Sequence, residues 1–169
     1  MRRFESGLLW LNRFLCAALL VAACALVFAN VVLRYGFGVS LAWAEEASRY
    51  MMIWLAFLAA GLALREGAHI AVDLLPEALP EPAARWLRAL ILAAIAGFLG
   101  LLLVLGINYA DFAMMQRSPV LRLSMGLVYL AIPVGTALML LHLALMAPRF
   151  VLRPRDEAAQ VRAAEMGSL

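Results

Sequence analysis

The sequence predicts an all-α integral membrane protein with four transmembrane helices, both termini cytoplasmic, and a short interfacial segment between helices 2 and 3. Three observations carry this expectation. Of 169 residues, 66% are hydrophobic and the mean hydropathy is +0.93, whereas a soluble domain is usually near half apolar. Charged side chains are missing for 20 residues between Arg13 and Arg34, 22 between Arg88 and Asp111, and 26 between Arg122 and Arg149. About 20 apolar residues in a helix cross a ~30 Å hydrocarbon layer with every backbone hydrogen bond kept internal. Finally, the basic residues are unevenly placed. Arg2, Arg3, Arg13, Arg65, Arg85, Arg88, Arg149, Arg153, Arg155 and Arg162 fall on the side of the termini, against Arg34, Arg49, Arg117 and Arg122 on the other. That asymmetry puts both termini in the cytoplasm.

Residues 1–13 form a cytoplasmic or interfacial N-terminus in which Leu8, Leu9, Trp10 and Leu11 can rest on the membrane surface. Residues 14–147 are the membrane domain, with spans at about 14–34, 42–65, 86–111 and 124–147. Val21-Ala22-Ala23-Cys24 imitates a lipoprotein cleavage site. The chain stays apolar well past Cys24, however, so the first span is expected to remain in the mature protein. Cys16 and Cys24 are eight apart, without a CxxC spacing, and read as small apolar helix residues. Gly36 and Gly38 break the first helix. Ser40 is a candidate N-cap of the second, and Glu45 and Glu46 favour its positive end. Arg65 and Gly67 mark its end.

The connection 66–85 is semi-apolar, with prolines at 76, 80 and 82, and should lie along the cytoplasmic surface. The connection from Asp111 to Ser124 is short and polar. Pro133 and Gly135 should bend the last span. Residues 148–169 form a charged cytoplasmic tail, expected to be disordered. The chain has no internal repeat of the kind that builds many secondary transporters.

The second span carries the most information. Trp43, Tyr50, Trp54, Phe57 and Gly61 fall on one stripe of a 3.6-residue helix. Glu45, Arg49, Met52, Ala56, Ala59, Ala60 and Ala63 fall on the opposite one. The aromatic stripe is expected to face lipid or a large partner. Ala56, Ala60 and Ala63 are expected to let a neighbouring helix approach closely. Arg49 lies roughly 9 Å deeper than Trp43 at 1.5 Å rise per residue, where an arginine needs a partner. Glu45 and Glu46 are within helical reach of it, so the three are expected to form an ion-pair cluster locking this helix to its neighbours.

No charged residue follows Arg49 until Arg65, which argues against an ion or proton relay. His69 and Asp73 are spaced i, i+4, and His142 lies near the same membrane side; a haem-bearing respiratory anchor is the alternative these histidines raise. A small homo-oligomeric channel or exporter is another. The scattered arginines form no stripe, which excludes a nucleic-acid surface. No GxSxG, HExxH, P-loop or dinucleotide fingerprint occurs. No catalytic, cofactor or metal residue is therefore expected, and the protein is not expected to be an enzyme.

The run Leu41-Ala-Trp43-Ala-Glu45-Glu46-Ala-Ser-Arg49-Tyr50 is followed by Trp54, Phe57, Gly61 and then Arg65-Glu-Gly67-Ala-His69-Ile70-Ala-Val72-Asp73. This resembles the small membrane subunit of tripartite ATP-independent periplasmic (TRAP) transporters, over about residues 10–147. The WxEExxRY and GxHIxVD pieces at this separation carry most of the specificity, and Ser118-Pro119, Tyr129, Pro133 and Gly135 extend it. Ala60 stands where the pattern leads one to expect glycine. The resemblance implies a bacterial inner-membrane scaffold paired with a large, elevator-type membrane subunit that would hold the substrate and sodium sites. It implies transient contact with a periplasmic substrate-binding protein, uptake of an organic acid, and membrane lipid as the other neighbour.

Overall fold

The computed structural model describes residues 2–67 and 80–151. Its helices are α1 (Arg2–Phe37), α2 (Ala42–Gly67), α3 (Glu81–Ala113), α4 (Met125–Tyr129) and α5 (Ala131–Val151). Four stretches are long and apolar enough to cross a membrane: Ser6–Phe37, Ala42–Leu64, Pro82–Ala113 and Met125–Ala147. The chain is a multi-pass membrane protein. α5 carries the chain through residues 148–151 of the expected tail, and residues 152–169 and the His69–Asp73 segment lie outside the described residues.

Helix ends follow local chemistry. α1 runs unbroken from Arg2 through the segment expected as a separate interfacial N-terminus. It passes Gly36 and stops at Gly38, whose φ of +69° is left-handed backbone that glycine adopts without a Cβ clash. The Val39 N–H then returns to the Leu33 carbonyl at 3.1 Å. Ser40 is not the cap of α2. The carbonyl of Leu41 accepts the first helical bonds from Ala44 and Glu45, and the Leu41 N–H donates to Asn30 Oδ1 of α1 at 2.8 Å. α3 begins earlier than its charges imply, with Pro80 as N-cap in extended backbone and Pro82 in the first turn, where a missing N–H costs nothing.

The last span is broken, but not where the sequence placed the bend. Pro133 sits in the first turn of α5 and cannot bond the carbonyl of Tyr129, so α4 ends there and Leu130 makes the joint. Gly135 has a different task. A Cβ on it would lie 2.6 Å from Phe57 Cβ and 2.8 Å from the Phe57 carbonyl oxygen, so its absence lets α5 touch the backbone of α2.

Packing runs in a row. α1 lies on α2, α2 on α5, and α5 on α3, while α1 has no substantial contact with α3 among the described residues. α5 is accordingly the most enclosed span. Glycines set each contact beside it. Gly61 on α2 receives the His142 ring, Gly106 on α3 receives Ile132 and Pro133, and Gly126 on α4 seats against the Ala110 carbonyl and Met114. Tyr109 and Tyr129 meet edge to face, 4.8 Å between centroids.

Candidate functional site

The polar side chains gather where α1 meets α2 and where the α3–α4 loop folds back over the head of α2. That loop, 114–124, is closed on itself. Ser118 N–H donates to the Leu123 carbonyl at 2.8 Å, and Leu123 N–H donates to Ser118 Oγ at 3.1 Å. Ser124 Oγ donates to the Met114 carbonyl, and Met125 N–H to that of Gln116. Arg122 holds a left-handed φ of +55°, and the carbonyl of this strained residue accepts from Arg117 at 3.3 Å.

Glu46 ties this loop to α2. One carboxylate oxygen accepts from Val120 N–H at 2.9 Å and Leu121 N–H at 3.1 Å. The other accepts from the Tyr50 hydroxyl at 2.5 Å, with the Ser118 hydroxyl alongside. Only 5% of Glu46 is exposed. Such charge-assisted bonds to backbone amides satisfy donors that a tight turn leaves without partners. A carboxylate so committed presents no face to a substrate; its chemistry is to hold a loop.

Glu45 takes a separate partner set. Its Oε1 accepts from Asn30 Nδ2 at 3.1 Å and lies 3.6 Å from Arg34 Nη1, across the α1–α2 contact. Arg49, the expected centre of the cluster, is exposed and makes no ion pair or hydrogen bond among the described residues. In place of the ion pair expected between Arg49 and Glu45 or Glu46 stand one ion pair, Arg34–Glu45, and the hydrogen bonds of Glu46. Within α2 Glu46 bonds Tyr50 at i+4 instead of Arg49, and the remaining partners of the two acids come from α1 and the 114–124 loop.

The two faces of α2 are also exchanged. Trp43 is open at the head of the aromatic stripe, but Tyr50, Trp54 and Phe57 are half-buried. Tyr50 reaches Met125 of α4, and Phe57 backs onto Gly135. The opposite stripe, expected to be the packing face, is the open one: Arg49, Met52, Ala56 and Ala63 are exposed and Ala60 is half-buried. The physical reason lies at Gly135, where the missing Cβ brings α5 onto the backbone and Cβ of Phe57 and so turns this side of α2 inward.

Arg65 and Gly67 close α2, and His69 and Asp73 lie outside the described residues. His142, the other histidine of the haem alternative, is 1% exposed and packed on Gly61. Among the described residues no three potential metal ligands cluster. Charge counting overlooked Asn12 and Asn30, both buried in α1. Asn12 Nδ2 donates to the Leu58 carbonyl at 3.1 Å, a second α1–α2 tie. An amide inside an apolar run is the signal that marks them, because it demands a partner.

A family model described as tripartite ATP-independent periplasmic transporters, DctQ component, matches residues 23–152. The chain belongs to this family. Curated relatives agree with that membership. A protein of Haemophilus influenzae named as a TRAP transporter small permease is 52% identical over 66 residues, covering 39% of this chain and 41% of its own length. The C4-dicarboxylate TRAP transporter small permease protein DctQ of Rhodobacter capsulatus is 38% identical over 104 residues, 60% of this chain and 46% of the relative. The chain thus spans less than half the length of these two. A second Haemophilus influenzae small permease is 31% identical over 123 residues, 70% and 72% of the two chains. The matched region contains the Glu46 anchor, the α3–α4 loop and every glycine contact described above. This is a DctQ-type small permease subunit, and the relatives are named as small permease proteins of TRAP transporters.

Proposed function

We propose that this chain is the non-catalytic scaffold subunit of a sodium-driven TRAP transporter in the bacterial inner membrane. It supports a large elevator-type membrane subunit that takes up an organic acid. The observation that carries the reading is the Glu46 anchor together with the backbone-close helix contacts. The buried polar groups described here are spent on fixing loops and helices to one another, which suits a static wall and leaves little for a translocation path. The relatives' names favour a C4-dicarboxylate as cargo. With ten of fourteen arginines on the termini side, both ends face the cytoplasm, and the 114–124 loop faces the periplasm beside the substrate-binding protein.

The test is reconstitution. Liposomes holding this chain, the large subunit and the binding protein should take up a C4-dicarboxylate only with a sodium gradient, and those lacking this chain should not. Solute moving down a sodium gradient through this chain alone would sink the proposal. Maleimide labelling of Met115→Cys in intact spheroplasts tests the orientation, since Met115 of this loop is 92% exposed.

A further inference from the structure

Two outward surfaces of the row differ in kind. The outer face of α3 exposes Phe98, Leu101, Val104 and Leu105, bulky apolar side chains of the sort that acyl chains solvate. The open face of α2 instead carries Arg49, Met52, Ala56 and Ala63, with the Arg34–Glu45 pair at its head.

Arg49 is the informative residue. It lies seven positions into α2, so about 10 Å from the helix start at 1.5 Å rise per residue. Glu45, one turn away, is already engaged by Arg34 and Asn30. An uncompensated guanidinium on a membrane-facing surface is costly, and such residues characteristically pair within a protein assembly. Below it, the alanines keep the α2 backbone approachable, as helix-to-helix contacts in lipid require.

We propose that the Arg49 face of α2 seats a membrane helix of the large subunit, and that this helix carries an Asp or Glu opposite Arg49. The assignment rests on the scaffold reading above and adds to it which face meets the partner and by what chemistry. Charge complementarity selects an acidic helix. The bulky face of α3 is left to lipid.

The experiment places a photo-crosslinking residue at Met52, at Ala56 or at Leu101 in the whole transporter and maps adducts by mass spectrometry. Met52 and Ala56 should join to one helix of the large subunit bearing an acid at the depth of Arg49, and Leu101 should give no adduct to it. In parallel, Arg49→Glu should lower recovery of the large subunit at least fivefold and Arg49→Lys should keep it. Changing the partner's acid to Arg should restore the Arg49→Glu complex. Adducts from Leu101 alone, or full recovery with Arg49→Glu, overturn the proposal. So does a variant that keeps the large subunit but loses a tightly held phospholipid in native mass spectrometry, since lipid is then the occupant. If the unsubstituted chain recovers no large subunit, the scaffold reading itself fails.

Discussion

Gly135 offers the sharpest test of how the row is held. Alanine there would bring a methyl group 2.6 Å from Phe57 Cβ and 2.8–2.9 Å from the carbonyl of the same residue. Two of those atoms are backbone, so no rotamer change relieves the clash. Restoring an ordinary contact of roughly 3.4 Å requires α2 and α5 to part by nearly 1 Å, which strips packing along the whole seam. Overpacking of this kind costs about 1–3 kcal/mol. Alanine recovers about 1 kcal/mol of helix propensity, so the net loss is about 0–2 kcal/mol. A Gly97→Ala control shares that gain, so the two variants should differ by the full overpacking cost of about 1–3 kcal/mol. Gly97 is the control, because nothing lies within 4 Å of a Cβ placed on it. Reversible unfolding in mixed detergent micelles should therefore show Gly135→Ala less stable than Gly97→Ala, which is itself unchanged or slightly stabilised. Equal midpoints for the two variants would refute the close-contact argument.

Three further outcomes follow from the polar ties. Glu46→Gln removes the carboxylate charge and leaves a single, neutral acceptor oxygen for the loop amides, so hydrogen exchange at Val120 and Leu121 should quicken while α3 amides stay protected; unchanged exchange would mean that the loop holds itself. Asn12→Ala removes the bond to the Leu58 carbonyl and should cost about 0.6–1.7 kcal/mol, the range for interhelical bonds in membranes, in the same unfolding assay. Arg34→Gln breaks an ion pair whose side chains are 53% and 46% exposed, so its effect should stay within about 1 kcal/mol and shrink with added salt.

The spans were legible because charge-free runs of that length have few other uses. Their ends were less so. Helices do not stop where the hydrocarbon stops, and α3 begins at Glu81, ahead of Arg85 and Arg88, with a proline start that charge counting overrode. The Glu46 site was half legible. Helical spacing singles out the acid and puts Arg49 and Tyr50 within its reach, but its loop partners lie 74 and 75 residues away in the chain. Helical spacing groups Trp43, Tyr50, Trp54 and Phe57 on one stripe, yet what Tyr50 and Phe57 face is decided by Met125 and Gly135, far along the chain. Periodicity identifies a face; it does not say what lies opposite.

The row order has a bearing on biogenesis. Helices enter the membrane in the order α1, α2, α3, α5, but they stand side by side as α1, α2, α5, α3. The third segment to emerge therefore has no finished neighbour on its inner side, and it must wait, solvated by lipid, for the segment made last to slot between it and α2. Until residues 131–151 have been translated, the packing that α5 supplies between α2 and α3 is missing, and the Glu46 bonds to Val120 and Leu121 are a tie available between them. Quality control that acts on unassembled membrane segments has its longest opportunity at α3, and a chain cut short before Ala131 would fail by that route even with three sound helices already in place.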